Sequence, residues 1–568
     1  MHLMKLDDDD STIIHSQHPL AFSARANASD HPTLKEAMEG PDREGFLEAM
    51  YLEMDQLESM KAWTVVPRSK ALNENRNIFA TTWALRRKRY PDGSVKKLKA
   101  RLCARGDQQV EGVDYFETFS PVVQWSTIRL MLILSILLGL ETVQVDYTLA
   151  FVQAPASPGT YIEMPKMFEL DGMIMELNRN LYGLCEAPRN FYNHLKKGLE
   201  DRGLTPSPHD HCLFMSEDVI VLTYVDDCIF FARDGKSIDK LIDSLRKVPD
   251  NVKGKWDEFM LNKEEDYAGF LGIDISKSTH VTGAIELLQV GLIDRILAVL
   301  GLDKENTHIR MEPASPTPLG KEEDSAPRKE NWSYASVIGM LLYLSSNSRP
   351  DIAFAVHQAA KFSHCARLQH EVAIKRIGRY MRATRDKGLI MNPSATLSLD
   401  FYADADFAGL WNVEDPTDPL SVKSRTGYLI TLGGTPVTWS SKLQTEIATS
   451  TMHAEYIALS TGMRELIPVK NTLEHICEAF KISRDAKTQL ISVWEDNEGA
   501  LKLANSPLVK VTPQSKHFAI KYHWFREKLT DLKLCIQYVR SAVQKADIFT
   551  KGLSRAEFQA KRKLIMGW

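Results

Sequence analysis

Asp226 and Asp227 are adjacent acids set between two apolar, β-prone runs, Val219–Tyr224 and Cys228–Phe231, with no Gly or Pro inside either run. That pattern predicts a tight hairpin with both carboxylates at its tip and mostly buried flanks. Neighbouring carboxylates between hydrophobic strands repel each other and are costly to desolvate unless a cation lies against them. A divalent metal that handles phosphates would meet that need; an ordinary Asp-rich turn is the alternative these residues leave open. Other acids close strand-like segments. Asp146 ends the alternating run from Thr142, Asp404 ends the run from Leu397, and Glu495 and Asp496 end the run from Ile491. Glu455 falls on a helix predicted to begin near Ser450, and Asp547 opens a terminal segment.

Positioning these acids takes more than one core, because 568 residues exceed what a single core holds. A hydrophobic share of 44% and a charged share of 25% are those of a soluble globular protein. With a net charge of −4, a polyanion must be met by local patches rather than by overall basicity. One patch stands out. Arg86, Arg87, Lys88 and Arg89 precede a Pro91-Asp92-Gly93 turn, and Lys96, Lys97, Lys99, Arg101 and Arg105 follow it. Two such arms form either a hairpin presenting cations to phosphates or a solvated charged face. The 7 cysteines lack any CxxC pair, which argues against a structural zinc site or a disulfide framework and fits a reducing, intracellular setting.

Leu130–Leu140 is apolar but too short to span a bilayer, so it predicts a buried helix and no membrane partner. Asp7–Asp10 stand where a secretory signal would need an apolar segment. Residues 1–31 read as a flexible leader. Pro32–Lys61 has helical spacing, with Phe46, Met50, Met54 and Leu57 on one face, and Trp63–Pro67 reads as a strand. Ile285–Leu302 reads as an amphipathic helix, Met311–Lys329 as a linker and Tyr334–Arg385 as helical, with Asp351 at a helix start. From Leu397 the pattern turns to strands, with helices near Ser450, from Ala500 and over His517–Leu529.

Several short blocks carry a family likeness. Tyr224-Val225-Asp226-Asp227 resembles the YxDD signature of reverse transcriptases. Lys99–Gly106 is similar to a KARLVARG block, and Asp146–Phe151 to DVKTAF with its Lys-Thr pair replaced. Leu181–Arg189 is similar to LYGLKQAPR with Cys185-Glu186 in place of Lys-Gln, Phe270–Ile273 to an FLG segment and Arg349–Ala353 to RPDIA. Asp404–Gly409, Ser450–Tyr456, Asp496-Asn497, Lys516-His517 and Ala546–Lys551 follow in order. From about Pro32 to the C-terminus, this series resembles the copia-type LTR-retrotransposon polyprotein.

The resemblance implies an α+β multidomain chain: a right-hand polymerase of fingers, palm and thumb (32–305), a linker and helical connecting region (306–395), and a ribonuclease H-like mixed α/β domain (396–568). It implies an RNA- and DNA-directed DNA polymerase with ribonuclease H activity on RNA–DNA hybrids. Asp146, Asp226 and Asp227 would be catalytic metal ligands in the first site, and Asp404, Glu455, Asp496 and Asp547 in the second. Each site would take two Mg²⁺ ions, with Mn²⁺ as a substitute, roughly 3.5–4 Å apart. Arg101 and Lys99 would contact the triphosphate, and Phe151 would act as a steric gate against a 2′-hydroxyl. Phe270–Ile273 would form a primer grip. Implied partners are an RNA template, a DNA primer, their hybrid, dNTPs and other products of the same polyprotein, and the implied location is a cytoplasmic virus-like particle, with the nucleus open.

The chain also departs from the family pattern. Cys185 and Glu186 would weaken contacts near phosphates, His453 stands for a second Glu, and Ala519 and Gln514-Ser515 replace an Asp and an Arg-Thr pair. No His lies between the last strand and Asp547. Asp406 and Glu495 are read as cap or surface residues. The competing class is a decayed or co-opted relic that only binds nucleic acid, which these substitutions allow and the seven acids oppose.

Overall fold

The computed structural model describes residues 30–89, 95–264, 268–321, 324–409, 411, 421–482, 491–506, 523–532 and 534–568. Most of the leader, the Pro91-Asp92-Gly93 turn, Gln514-Ser515, Lys516-His517 and Ala519 lie outside these residues. The chain forms two compact units: Met1–Val123 with Val143–Glu265, and Gln124–Thr142 with Asp266–Trp568.

In the first unit the helical spacing before Lys61 becomes two helices, Leu34–Glu39 and α1 (Arg43–Ser59), separated at Gly40-Pro41. α1 buries Phe46, Met50, Met54 and Leu57 as its period dictates, and Glu53 with them. The basic arms form a two-stranded antiparallel sheet, β1 (Thr81–Arg89) and β2 (Val95–Ala104), in which Arg86 pairs with Lys99 and Ala84 with Arg101. A six-stranded sheet contains β3 (Glu141–Tyr147), β4 (Val219–Tyr224) and β5 (Asp227–Ala232), in the order Leu261–Lys263, β3, β5, β4, Leu213–Met215, Thr205–Pro206. Its buried face, with Val145, Tyr147, Val221 and Phe230, packs on Phe191, Leu195 and Ile238.

In the second unit the apolar helix forms over Trp125–Leu138 and is buried along most of its length. Arg129, which bounds the apolar run in sequence, is enclosed as well. It donates Nε to the Val437 carbonyl (2.6 Å) and Nη1 to those of Ser346 (3.0 Å) and Asn347 (3.2 Å), 4.2 Å over the Trp439 ring. Among the described residues no helix is long and apolar enough to cross a membrane.

The expected helix over Ile285–Leu302 is corrected. Ile285–Leu288 is a strand between Ile273–Lys277 and Leu389–Met391, and the helix covers only Val290–Val299. Cross-strand pairing on both sides overrides the helical spacing there. The Phe270–Ile273 segment is a hairpin whose turn residues Leu271 and Gly272 both have positive φ, with the Tyr343 hydroxyl donating to the Leu271 carbonyl at 2.6 Å. Asp351 is structural: it accepts two bonds from buried Arg349 (2.9 and 2.8 Å) and a third from Tyr380.

The last architecture is a five-stranded sheet of β6 (Leu399–Asp406), β7 (Arg425–Leu432), β8 (Thr435–Leu443), β9 (Ile491–Glu495) and β10 (Cys535–Tyr538), in the order β8-β7-β6-β9-β10. β6 pairs antiparallel with β7 and parallel with β9, and β9 is parallel to β10. The helix α2 (Thr451–Ala479) lies on it through Gly462, where an added Cβ would come within 2.3 Å of Phe401. α3 (Arg555–Met566) closes the chain. This strand order with α2 is the ribonuclease H-like mixed α/β arrangement.

Candidate active sites

β4 and β5 pair from Val219–Ala232 through Tyr224–Asp227, so Val225 and Asp226 alone make the turn. Val225 has φ +56°, at a position that hairpins usually fill with glycine. A β-branched residue in that region stores on the order of 1–3 kcal/mol, and such strain concentrates at functional sites. The Asp226 carbonyl accepts a bond from Tyr147 N at 3.3 Å, which ties the turn to β3 and so to Asp146.

Asp146 and Asp226 line a cavity of ≈ 500 Å³, together with Lys97, Lys99 and Arg101 of β2 and Glu53 of α1. Burial raises the Asp226 carboxyl, while Arg101 and Lys99 pull it back down. Asp227 is pushed up to about 7, by burial first and then by Asp226 and Asp146. Lys99 is lowered, by burial and then by Arg101 beside it. The cavity thus has an acidic wall and a basic wall, and an anionic ligand carrying its own cation would match both.

Phe151 packs against Tyr182 (5.2 Å between centroids) and Phe191 (6.3 Å), and the Arg101 guanidinium lies 4.7 Å over the Tyr182 ring. Tyr182 and Leu149 are in the cavity wall, with Phe151 behind Tyr182. Gly183, with φ +93°, lets the Leu181–Arg189 segment close on β2, since a Cβ there would meet the Ala104 carbonyl at 2.2 Å. Cys185 and Glu186 face Gln109: Cys185 N donates to Gln109 Oε1 (2.8 Å) and Gln109 Nε2 donates to Glu186 Oε2 (3.0 Å). Neither lines the cavity, so the two substitutions are absorbed beside Gln109.

Glu53 is the residue that the sequence reading missed. It is buried, accepts Leu102 N at 3.3 Å along the outer edge of β2, and has Arg101 and Lys99 as its nearest counter-charges. The signal was present, because Glu53 interrupts the apolar stripe of Phe46, Met50 and Leu57 at helical spacing.

The second site is tighter. Asp404 on β6, Glu455 on the second turn of α2 and Asp496 just after β9 each bring a carboxylate oxygen within 4.8 Å of the other two. Among the described residues this is the one group of three or more possible metal ligands so close together, so Asp146, Asp226 and Asp227 do not converge to that degree. Ser450 caps α2 by accepting His453 N (3.2 Å), and Ser541 donates to Asp496 Oδ2 (2.6 Å). Thr550 donates to Asp404 Oδ2. Asp404 is pushed up to about 7, chiefly by burial, and Glu455 well above its usual range by burial and by Asp404. Glu455 Oε2 is buried without a hydrogen-bond partner, an acceptor that a cation would satisfy.

Asp547, the fourth expected ligand, is engaged differently. Lys551 Nζ lies 2.7 Å from its Oδ1 and 3.9 Å from Asp404 Oδ2, and Lys561 Nζ lies 2.6 Å from its Oδ2. His453 is buried, with Thr449 N directed at its Nδ1 at 3.2 Å. Asp406 is half-buried. Glu495 is corrected from a cap or surface residue: it is fully buried, with Asn497 N on Oε1 (3.0 Å) and no hydrogen-bond partner on Oε2.

A sheet that presents Asp146 beside an Asp-Asp turn, facing cations across a cavity, is a polymerase-type palm, and the five-stranded sheet is of ribonuclease H type. Residues 60–313 match the family described as reverse transcriptase (RNA-dependent DNA polymerase). The chain is 30% identical over 546 residues to the retrovirus-related Pol polyprotein from transposon TNT 1-94 of Nicotiana tabacum, covering 94% of this chain and 38% of that protein. It is 30% identical over 550 residues to the corresponding polyprotein from transposon RE1 of Arabidopsis thaliana, covering 96% and 35%. A solved foamy viral protease-reverse transcriptase in complex with double-stranded DNA aligns at TM-score 0.47 and 13% identity, over 87% of this chain and 69% of that one, too distant a likeness to carry a functional reading. Over most of its length the chain is similar to the copia-type retrotransposon Pol polyproteins, and residues 60–313 carry the match to the reverse transcriptase family. It spans little more than a third of the length of these curated relatives.

Proposed function

We propose that this chain extends a DNA primer on RNA and DNA templates with dNTPs, and that it cleaves the RNA strand of RNA–DNA hybrids for retrotransposon replication. The observation that carries the reading is the cavity in which Asp146 and Asp226 face Lys99 and Arg101. Asp146, Asp226 and Asp227 would hold Mg²⁺, a fit supported by two neighbouring carboxyls that burial and mutual repulsion hold above their usual range. Asp404, Glu455 and Asp496 would do the same in the second site, a fit supported by their convergence and by the buried Glu455 Oε2 that accepts no hydrogen bond. A bound divalent ion supplies Lewis acidity, lowering the pKa of an attacking hydroxyl or water and neutralising charge on the leaving group.

The residues of the chain supply the rest. Lys99 and Arg101 receive the triphosphate, with Tyr182 beneath Arg101 fixing the guanidinium plane. Phe151 is not in the cavity wall, so it would limit the space for a 2′-hydroxyl only through the Tyr182 ring that it packs against. The hybrid is gripped through phosphates and sugars, with little sequence preference.

The test uses the full chain in two Mg²⁺-dependent assays, primer extension on an RNA template and cleavage of a labelled RNA–DNA hybrid. Asp226→Asn should abolish extension and leave cleavage, and Asp404→Asn should do the reverse. Each loss should exceed the ~10²-fold typical of changes to groups that only support a metal ligand. Extension by Asp226→Asn at the parent rate overturns the palm assignment. A parent that binds the hybrid but performs neither reaction is a relic.

A further inference from the structure

We propose that Lys551 is a resident cation of the nuclease site. On this proposal, which rests on the nuclease reading above, its ammonium takes the place of one of the two divalent ions that four carboxylates would require. Asp404, Glu455 and Asp496 then hold a single ion.

The argument begins with the oxygens. Of the four expected ligands, three converge within 4.8 Å. That set is built to receive an ion. Asp547 is not, because both its oxygens already lie against ammonium groups, Lys551 at 2.7 Å and Lys561 at 2.6 Å. A second divalent ion between Asp404 and Asp547 would have to displace a lysine.

The two lysines differ in how firmly they are held. Lys561 is buried on α3 and donates to the carbonyls of Ser541 (2.9 Å) and Gln544 (2.8 Å) besides pairing with Asp547. Removing it from that place would orphan buried carbonyls, so it is a fixed part of the framework. Lys551 is held by carboxylates rather than by backbone carbonyls. Its ammonium bridges Asp547 and Asp404, at 2.7 and 3.9 Å, while 45% of its side chain remains exposed. It is thus the solvent-reached cation of the cluster, beside acids that are themselves buried. A cation there would face the negative charge that develops on the phosphate and, unlike a metal ion, cannot dissociate into solvent.

The experiment counts ions. The full chain carrying Asp226→Asn and Asp227→Asn, so that the first site does not report, is titrated with Mn²⁺ and followed by electron paramagnetic resonance. One bound ion is expected in this background, none after adding Asp404→Asn, and two after adding Lys551→Gln. Lys551→Arg retains the charge and should stay at one ion, and it serves as the comparison if the Gln variant melts early. Two ions in the background, or a single ion in a folded Lys551→Gln variant, overturns the proposal. Hybrid cleavage is measured on the same samples. A single bound ion without any cleavage defeats the nuclease reading while leaving the ion count, and so the role of Lys551, intact.

Discussion

Around Asp226 the cations stand across a cavity from the acids, on a separate hairpin, whereas around Asp404 they are inserted among the acids. The open arrangement suits a substrate that brings its own negative charge and its own ion, because both walls remain exposed until the ligand arrives. The closed arrangement suits a site that must stay loaded while a long polymer slides past. The difference also shows in burial. Asp146, Asp226 and Asp227 are half-exposed, while Asp404, Glu455 and Asp547 are buried. Buried acids need counter-charge to be tolerated at all, so the second site carries lysines as part of its structure. The first can do without them because solvent still reaches its carboxylates.

The sharpest way to break this contrast is to remove an inserted cation. Lys561→Met keeps the aliphatic length but leaves an Asp547 oxygen and the Ser541 and Gln544 carbonyls without their donor. Breaking one side of a buried pair costs ~3–5 kcal/mol, and that loss should appear in urea unfolding of the unit that holds α3. Lys551→Gln, with a side chain 45% exposed, should cost far less by the same measurement. Equal, small losses for both would mean that the lysines are incidental to the fold and that the two sites differ less than their geometry indicates.

Much of this was legible in the sequence where the physics is local. The Asp226–Asp227 turn follows from two apolar runs that must both be buried, and β2 follows from the alternation of Lys97, Lys99 and Arg101 with Leu98, Ala100 and Leu102. Glu53 was readable but missed, and Glu495 was readable but misread. Glu53 sits on an apolar helical stripe, and Glu495 shares the inward face of its strand with Val493 at a period of two. The convergence of Asp404, Glu455 and Asp496 could be anticipated only through the order of family motifs, because it is made by strand pairing between distant segments. Nothing local foretold Lys561, which reads as one more polar residue on an amphipathic helix. Its role depends on the Ser541–Asp547 loop folding back over α3. The failed helix over Ile285–Leu288 has the same cause, since the strands that capture it, Ile273–Lys277 and Leu389–Met391, are separate in sequence.

Acidity offers a second comparison, on which the two sites should agree. Asp227 and Asp404 are each pushed up to about 7, with burial the first cause in both. A carboxyl whose pKa is higher folded than unfolded binds its proton more tightly in the folded state. Metal-free stability is therefore greatest below the unfolded value of ~4 and is lost as pH rises towards 7. Melting temperature in EDTA should fall across that window by several degrees, given ~2–4 °C for each kcal/mol in units of this size. Millimolar Mg²⁺ should restore it above pH 7 and do little at pH 5, where protons compete for the same oxygens. Asp227→Asn and Asp404→Asn should each flatten the slope. A slope untouched by either variant would place the titration elsewhere.

The smallest effect is expected at Glu53, and it separates counter-charge from scaffolding in the open site. Glu53 has two tasks that a single substitution can divide: it accepts the Leu102 N–H on the outer edge of β2, and its charge offsets the neighbouring Lys99 and Arg101. Gln keeps the acceptor and the volume but removes the charge. Lys99, already lowered by burial and by Arg101, then loses an opposing anion, and the two cations repel with nothing between them. The expected result for Glu53→Gln is a rise in KM for dNTP of about fivefold, the equivalent of ~1 kcal/mol at a partly exposed ion pair. kcat should stay within about a factor of two, and the melting temperature should not change. Glu53→Ala removes both tasks, so it should add a stability loss of ~1–3 kcal/mol for the buried N–H left without an acceptor. If the Gln variant matches the parent in KM and only the Ala variant is impaired, Glu53 merely seals an exposed strand edge. The basic wall would then hold its two cations ready without an internal counter-charge, which would set the open site still further apart from the one around Asp404.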